Sequence, residues 1–249
     1  MDSAACSVVV TVVPWRLIGD DLAVWLEGPG DGPRRLPTSR LGERADERST
    51  AAALVAALPF ARDVVRCERF AAFTDPARVP NNREVALASW AVVRAVTARS
   101  TDVAAVGGSW YPDASLPPLA DDHATIVATA KRAMAAEILH DPVTRRLLPR
   151  HLLRSSFDDF GPASETARRT PVLFGVLPDP FPLSAIRRFY ERLLGTSIDR
   201  GNFRRKLVEL RPTGIVKELP IFQRGVRHRA AQLFTFDPRA WERWATGED

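Results

Sequence analysis

The alternation of apolar and polar residues predicts strands and helices in mixed order over the first half of the chain. Residues 7–13 and 21–26 are rich in β-branched residues and flank a short glycine-containing turn, which is typical of a β-hairpin. Residues 28–48 are rich in glycine, proline and charge and predict a loop. The alanine- and leucine-rich stretch 50–58 predicts a short helix that Pro59 ends.

Two further strands and a long helix follow in the same half. Residues 64–75 and 83–96 have alternating or apolar strand patterns, with a loop rich in proline and asparagine between them. Residues 116–140 predict a helix that begins near Asp121 or Asp122. Its inner face is expected to carry Ile126, Val127, Ala130 and Met134. Strands and helices that alternate in this way indicate a mixed α/β domain.

The pattern becomes more compact after a connector at residues 137–170. Residues 182–195 place apolar side chains at i, i+3, i+4, i+7 and i+8, the spacing of an amphipathic helix. Ser184 is available as the N-cap of this helix and Gly195 as the residue past its end. The apolar face is formed by Ile186, Phe189, Tyr190, Leu193 and Leu194.

A second, basic helix is predicted directly afterwards, over residues 200–210 with Asp199 as its cap. At 100° per residue, Phe203, Leu207 and Leu210 fall on one narrow stripe. The remaining, outward arc holds Gly201, Asn202, Arg204, Arg205 and Val208. Such a helix is held to its domain on one side and presents guanidinium groups, an amide and little bulk on the other. A solvated basic face is the alternative interpretation of this pattern.

Two strand patterns, at residues 215–219 and 231–236, flank a basic loop after this helix. The loop carries Arg224, Arg227, His228 and Arg229. Two helices joined by a tight turn and followed by a hairpin with a basic tip are the order of a winged helix-turn-helix, whose second helix reads DNA. The order therefore favours a recognition helix over a solvated face.

The charge of the chain is concentrated in this second part. The formal net charge is +5 over 249 residues. The last 80 residues hold 14 basic and 9 acidic residues, whereas the first 169 hold 21 of each sign. A neutral first part joined to a basic second part indicates a polyanionic partner for the latter.

Composition argues against a membrane protein and against a metal centre. Hydrophobic residues make up 45% of the chain and charged residues 26%, as in soluble globular proteins. The apolar run at residues 8–13 is too short to cross a bilayer and no basic region precedes it, so neither a signal peptide nor a membrane anchor is expected. Cys6 and Cys67 show no metal spacing, and the four histidines form no zinc-binding pattern. A cytoplasmic protein without a metal site is therefore predicted.

Several of these segments resemble the Nudix-related transcriptional regulators, the NrtR family, in which a Nudix domain precedes a winged helix. Residues 181–210 are similar to the family's two helices and include its "NFRRK" run. Residues 227–236 resemble its wing strand, with Ala230 where the family has proline. In the first half, residues 73–83 and 116–126 resemble the family's Asp-Pro-x-Arg-x-Pro loop and a helix opening.

This resemblance implies an α+β fold with two domains. A degenerate Nudix α/β/α sandwich is expected over residues 1–136 and a winged helix-turn-helix over residues 171–249. Residues 137–170 are expected to form a connector made of a helix and a polar loop.

The resemblance breaks at the catalytic motif of the Nudix fold. Active Nudix hydrolases carry glycines and then a helix reading Arg-Glu-x-x-Glu-Glu, whose carboxylates hold divalent cations. Thr38 and Ser39 stand where the glycines are expected. The four positions of the Arg-Glu and Glu-Glu pairs hold Ala53, Leu54, Ala57 and Leu58. The acids of the preceding loop, Glu43, Asp46 and Glu47, have unsuitable spacing, so the domain is expected to be neither a hydrolase nor a metal site.

The resemblance also implies that this domain senses a ligand, with ADP-ribose or a related NAD-derived nucleotide as effector and with no cofactor. The candidate ligand-binding residues are those still present at the family's motif positions, namely Asp75, Arg78, Arg83 and His123. Each also has a structural interpretation: a turn former for Asp75, surface charge for the arginines and a satisfied helix N-terminal residue for His123. Dimerisation alone, or a changed ligand, is the alternative role of the domain.

The predicted function is that of a cytoplasmic, homodimeric transcriptional regulator that binds double-stranded DNA at a palindromic operator. One recognition helix reads few base pairs, and two-fold pairing supplies the rest. Arginine pairs with guanine and asparagine with adenine in the major groove, and other cations bind phosphates. The residues predicted to contact DNA are Arg187, Arg188, Arg200, Gly201, Asn202, Arg204, Arg205, Lys206, Arg224, Arg227, His228 and Arg229.

Two other classes of function stay open at this point. The first is a Nudix-like hydrolase of ADP-ribose or nucleotide sugars that uses unrecognised metal ligands, and metal-dependent turnover would reveal it. The second is a protein-interaction scaffold, whose basic faces would tolerate removal of charge.

Overall fold

The computed structural model describes residues 6–28, 32–80, 82–95, 104–105, 107–153, 170–223 and 230–246. The chain divides into two compact units. The first unit comprises Met1–Arg16, Leu22–Arg94 and Ala98–Ala133, and the second comprises Leu17–Asp21, Ala95–Thr97 and Met134–Asp249. Within the described part of the chain, no helix is both long enough and apolar enough to cross a membrane.

A mixed seven-stranded sheet forms the centre of the first unit. Its strands are β1 (Ser7–Ile18), β2 (Asp21–Glu27), β3 (Thr38–Arg40), β4 (Val64–Phe73), β5 (Glu84–Val93), β6 (Ala104–Ala105) and β7 (Gly108–Pro112). They follow the order β4-β5-β1-β2-β7-β6, with β3 paired to β1. β1 runs parallel to β5, whereas β3, β4, β6 and β7 are antiparallel to their partners. The predicted hairpin is confirmed: Gly19, at φ +62°, lies in the turn between β1 and β2.

The central strand β1 continues through Pro14 and ends at Ile18, five residues beyond the predicted end at residue 13. Pro14 pairs with Ala91 of β5 in a ladder that continues on both sides. Val12 donates its N–H to the Pro37 carbonyl at 3.0 Å, on the side of β1 away from β5. Successive N–H groups of a strand alternate in direction, so the nitrogen of Pro14 points to the same side and removes no donor from the β1–β5 ladder.

Helix α1 (Glu47–Ala57) packs its inner side on this sheet. Ala51 lies in one apolar cluster with Val10 and Val12 of β1. The helix begins three residues before the predicted position because the Asp46 carboxylate caps it, accepting from the Ser49 N–H at 2.7 Å. The loop predicted at residues 28–48 is therefore partly wrong. This range contains β3, which forms because β1 supplies its hydrogen-bond partners. Its last two residues belong to α1.

Helix α2 (His123–His140) follows β7 and begins within two residues of the predicted start. Ile126, Val127, Ala130 and Met134 are all buried, so the predicted inner face is confirmed. The division between the two units falls inside this helix, after Ala133.

The second unit has the element order of a winged helix. It contains α3 (Pro142–Leu147), α4 (Arg150–Leu153), α5 (Val172–Val176), β8 (Phe181–Pro182), α6 (Leu183–Leu194), α7 (Arg200–Leu210), β9 (Val216–Phe222), β10 (Gln232–Phe236) and α8 (Pro238–Thr246). β9 and β10 form the predicted hairpin, and β8 adds a third antiparallel strand in the order β8-β10-β9. The short elements α5 and β8 and the final helix α8 have no counterpart in the sequence prediction.

The two predicted helices of the helix-turn-helix are present, and their predicted apolar faces are buried except for Leu194, which is half-buried. Gly195 ends α6 in the left-handed conformation, at φ +63°, as its position predicts. The expectation that Ser184 caps α6 is wrong, because the helix begins two residues earlier than this cap implies, at Leu183, and Pro182 occupies the cap position without a side-chain hydrogen bond. Pro182 is paired in the sheet with Leu233, and this pairing sets where the extended chain ends and the helix begins.

The core of the second unit centres on two aromatic rings, Tyr190 of α6 and Phe203 of α7. Their centroids lie 6.1 Å apart in an edge-to-face arrangement. The Tyr190 hydroxyl is fully buried and shares a 2.8 Å hydrogen bond with the Thr144 hydroxyl of α3. Burial raises the pKa of Tyr190. The phenol therefore stays neutral and binds α6 to α3 through a satisfied buried hydrogen bond.

Candidate functional site

The orientation of α7 is fixed by its apolar stripe. Phe203, Leu207 and Leu210 are all buried, with 5% exposure or less. Asp199 caps the helix by accepting from the Asn202 N–H at 2.8 Å, as predicted. A helix held by three buried side chains and a cap presents one defined face to solvent.

That outward face carries the residues predicted to read base edges. Gly201, Asn202, Arg204 and Arg205 are all exposed. The Arg205 guanidinium reaches the Asn202 side-chain oxygen at 3.5 Å and the Glu209 carboxylate at 4.0 Å. Exposed contacts of this length contribute little to stability, so the guanidinium is available for other hydrogen bonds.

Gly201 has no structural reason to be glycine within the described chain. Its backbone φ is not among the positive values found at other glycines of the protein. An added Cβ atom would meet only an Asp199 carboxylate oxygen at 3.5 Å, which is an ordinary contact distance. Glycine nevertheless costs a helix about 0.5–1 kcal/mol relative to alanine. Neither the backbone conformation nor a contact in the described chain therefore requires glycine at this position.

Of the other cations of α6 and α7 that are predicted to contact DNA, one is exposed and three contact groups within the protein. Arg200 is exposed at the start of α7. The Arg187 guanidinium forms an ion pair with Glu191 one turn further along α6. Arg188 lies 2.8 Å from an Asp20 carboxylate oxygen, within the same compact unit. Lys206 donates to the Leu148 carbonyl at 3.1 Å. The last three would have to exchange these partners to bind phosphate.

The wing is described only up to the base of its basic tip. Arg224, Arg227, His228 and Arg229, all predicted to contact DNA, lie outside the described residues. Gln223 closes the described hairpin by donating its N–H to the Ala231 carbonyl at 2.8 Å. Ile221 and Phe222 at the end of β9 are exposed by 45% and 55%, a pair of apolar side chains that the sequence prediction did not single out.

In the first unit, the positions where a Nudix helix carries its catalytic residues hold no carboxylate. Ala53 and Ala57 are exposed on α1, Leu54 is half-buried and Leu58 is buried just past the helix. Among the described residues, no group of three histidine, cysteine, aspartate or glutamate side chains is arranged to hold a metal ion. The outer face of α1 is instead a short stretch of alanine.

This face borders a cleft of about 730 Å³ between α1 and strand β4. Its polar lining includes Arg48, Arg62, Glu68 and Arg69. Arg69 forms an ion pair with Glu47 at 3.2 Å, and both Arg48 and Arg62 are exposed. Arginines that converge on one cleft are suited to phosphate or carboxylate groups. The sequence prediction did not identify them, because α1 and β4 meet only in the folded sheet.

Arg78, a candidate ligand-binding residue, is instead enclosed by carboxylates. Only 2% of its side chain is exposed. The guanidinium donates to both oxygens of Asp122, at 3.0 and 2.8 Å, and to Glu84 at 2.7 Å. Through three hydrogen bonds to two carboxylates, the guanidinium joins the β4–β5 loop to β5 and to the start of α2, and a ligand would have to displace these bonds.

The other three candidates also have partners within the fold. The His123 Nδ1 accepts the Leu36 N–H at 2.9 Å, and burial lowers the pKa of His123 despite the neighbouring carboxylates of Asp122 and Asp121. The imidazole therefore stays neutral, as the accepting Nδ1 requires. Asp75 forms a turn by accepting the Ala77 N–H at 2.8 Å, and Arg83 donates to the Thr74 carbonyl at 2.8 Å. These contacts agree with the structural interpretation for Asp75 and His123.

Comparison with solved structures shows the fold of the chain. Its fold matches the crystal structure of Shewanella oneidensis NrtR complexed with a 27mer DNA, at a TM-score of 0.62 and 20% sequence identity, over 94% of this chain and 95% of the other. The structure of Shewanella oneidensis NrtR alone matches at 0.60, with 18% identity and the same coverage. A MutT/nudix family protein from Enterococcus faecalis matches at 0.56, with 16% identity, over 94% of this chain and 89% of the other. The chain thus has the α+β fold of a Nudix domain followed by a winged helix, as predicted.

A sequence match to a known family is found in the second domain. Residues 173–236 match the family described as "NrtR DNA-binding winged helix domain". This match agrees with the predicted resemblance over the second domain, which is similar in sequence to that winged helix family. No curated protein matches the chain significantly in sequence.

Proposed function

We propose that the protein is a cytoplasmic transcriptional regulator that binds a palindromic DNA operator as a homodimer. The observation that carries the proposal is the outward face of α7. Gly201, Asn202, Arg204 and Arg205 are exposed there, while Phe203 and its apolar neighbours hold the opposite face in the domain. Arginine can donate two hydrogen bonds to guanine and asparagine can pair with adenine, so this face suits the major groove.

Homodimer formation follows from the small size of this reading surface. A single α7 of 11 residues contacts only a few base pairs. Two copies related by a two-fold axis would read two half-sites about one helical turn apart and supply the missing specificity. Exposed Arg200 and the predicted wing cations would add phosphate contacts that fix the register without reading sequence.

Substitution of Gly201 by alanine is the experiment that tests this proposal. Because the helix prefers alanine and the Cβ atom has room, Gly201→Ala should stabilise the fold by about 0.5 kcal/mol. If the backbone at this position approaches DNA closely, the added methyl group should weaken specific binding by about 1–3 kcal/mol, a typical cost of overpacking a fitted surface. Melting curves and fluorescence anisotropy on a duplex selected by the protein from a random pool measure both effects.

The matched control is Ala245→Gly on α8, where a glycine–alanine change is made at an exposed position of another helix. That variant should lower stability and leave DNA affinity unchanged once folded protein is counted. A Gly201→Ala protein that is more stable and binds the selected duplex as tightly as the parent would contradict close approach of DNA. The protein-scaffold alternative would then be favoured.

We further propose that the first domain binds a nucleotide effector and does not hydrolyse it. The alanine face of α1 supplies none of the carboxylates that Nudix catalysis requires. Arg48, Arg62 and Arg69 line the neighbouring cleft and can neutralise phosphate groups. ADP-ribose, which the family resemblance implies, has two such groups. This proposal assigns the effector to the cleft and gives Arg78 and His123 a purely structural role.

Melting curves with ADP-ribose and Mn²⁺ test binding and turnover together. We expect the melting temperature to rise with ligand excess, by about 2.7 kcal/mol of added stability at a hundredfold excess over Kd. No product should appear above background. Arg62→Ala should reduce the shift, whereas Arg83→Ala, on the β4–β5 loop, should retain it. Metal-dependent turnover that a point mutation in this domain abolishes would contradict the proposal, and no shift across a nucleotide panel would leave dimerisation as the role of the domain.

A further inference from the structure

Val208 lies on the same exposed face of α7 as the predicted base-reading residues. It follows Gly201, Arg204 and Arg205 by seven, four and three positions, which is the spacing of a single helical stripe. Its side chain is 49% exposed, in contrast to Leu207 and Leu210, which are buried. The outward face of α7 is therefore basic at its first two turns and apolar at the third.

Neither helix formation nor packing favours valine at this position. A β-branched residue loses side-chain freedom in a helix and is a poorer helix former than the straight-chain residues common on exposed faces. Half of the apolar surface of Val208 faces water, and its neighbour Glu209 is exposed as well. The residue is one of five large apolar side chains that the described part of the chain exposes by more than a third.

The neighbours of Val208 restrict what can cover it. Arg204 and Arg205 stand one turn away, and Arg200 is exposed at the start of the same helix. An occupant of this face must therefore be anionic and must also offer an apolar group of limited size. The major groove of DNA meets both conditions, because phosphates flank it and each thymine places a methyl group on its floor.

We propose that Val208 is a specificity-determining residue that contacts the methyl group of a thymine in each half-site. The inference rests on the proposed function and adds a second kind of readout to it. Val208 lies about 4.5–6 Å along the helix axis from Arg204 and Arg205. That distance corresponds to one or two base-pair steps of about 3.4 Å. The thymine is thus placed next to, or one base pair beyond, the base that the arginines read.

Replacement of thymine by deoxyuridine tests the contact at the level of one methyl group. A duplex is first selected from a random pool by the intact protein, and each thymine is then replaced in turn by deoxyuridine. Binding of every duplex is measured for the parent, for Val208→Ala and for Val65→Ala. Val65 is a half-exposed valine on β4 in the first unit and serves as the matched control.

At one thymine per half-site, loss of the methyl group should weaken binding by the parent about fourfold, the equivalent of about 0.8 kcal/mol for one buried methyl group. Val208→Ala removes the contact from both half-sites, so it should bind the unmodified duplex about sixteenfold more weakly and should show no further loss with deoxyuridine at that position. Val65→Ala should behave as the parent. Since alanine is the better helix former, the melting temperature of Val208→Ala should not fall.

The remaining outcomes separate this inference from the proposed function. If the parent selects a specific duplex but the deoxyuridine penalties are the same in Val208→Ala, the thymine contact is wrong and the DNA-binding proposal stands. If no thymine shows a penalty in the parent, the contact is equally wrong. If the protein selects no specific duplex at all, both proposals are contradicted.

Discussion

Phe203→Ala should destabilise the protein by about 3–5 kcal/mol, the usual cost of removing a buried phenylalanine ring. Phe203 is only 3% exposed and packs edge-to-face on Tyr190, so the truncation leaves a cavity between α6 and α7. Tyr190 is itself bound to Thr144 through its hydroxyl, and it cannot move to fill the space without breaking that buried hydrogen bond. Denaturant unfolding followed by tryptophan fluorescence measures the loss.

Val208→Ala is the control for this change, because it removes an exposed apolar side chain from the same helix. Its stability should stay within about 0.5 kcal/mol of the parent. DNA binding by Phe203→Ala should be lost in proportion to the unfolded fraction. A Phe203→Ala protein that keeps the stability of the parent would show that α7 is not held to the domain by this ring, and the assignment of its outward face would fail with it.

Arg78→Ala should destabilise the first domain by about 3–5 kcal/mol, as expected when one partner of a buried ion pair is removed. The substitution leaves the carboxylates of Asp122 and Glu84, both mostly buried, without their shared guanidinium. It also disconnects the β4–β5 loop from the start of α2. The loss should appear in denaturant unfolding of the protein without any nucleotide present.

Arg83→Ala separates this structural role from ligand binding. Arg83 makes one exposed hydrogen bond to the Thr74 carbonyl, so its removal should change stability by no more than about 0.5 kcal/mol. A stable Arg78→Ala protein that has lost its response to ADP-ribose would contradict the structural assignment. Arg78 would then belong to the effector site, as the family resemblance implies.

The features that the sequence predicts well are those decided by short-range periodicity and caps. The two faces of α7, the left-handed Gly195 and the Asp199 cap depend on residues within one or two turns of each other. The inner face of α2 and the hairpin of β1 and β2 are equally local, so their side-chain patterns predict them. The outward face of α7 can therefore be predicted from the sequence once the order of the elements is known.

The features that the sequence did not predict depend on contacts between distant segments. Strand β3 forms because β1 offers a partner about 30 residues away, which its proline-flanked composition does not indicate. Arg78 forms hydrogen bonds with Asp122, which lies 44 residues away in the sequence. An arginine at a family motif position is therefore paired inside its domain. The cleft beside α1 arises only when β4 lies next to it. Ser184 failed as a cap because pairing of Pro182 in the sheet decides where α6 begins.

The outward face of α7 is proposed to read base edges, and affinity measurements on Arg205→Ala test this role most directly. Arg205 is 71% exposed at its side chain and holds only long contacts to Asn202 and Glu209. Its removal should leave stability within about 0.5 kcal/mol. Arg239→Ala on α8, which removes an exposed arginine elsewhere in the same unit, controls for the loss of one positive charge.

Binding of both variants is measured on the selected duplex and on a scrambled duplex at two salt concentrations. Arg205→Ala should lose about 1–3 kcal/mol of affinity for the selected duplex and relax its preference at one base position per half-site. Its affinity for the scrambled duplex should fall only as much as that of Arg239→Ala. If Arg205→Ala binds the selected duplex as tightly as Arg239→Ala does, the outward face of α7 does not read bases as proposed.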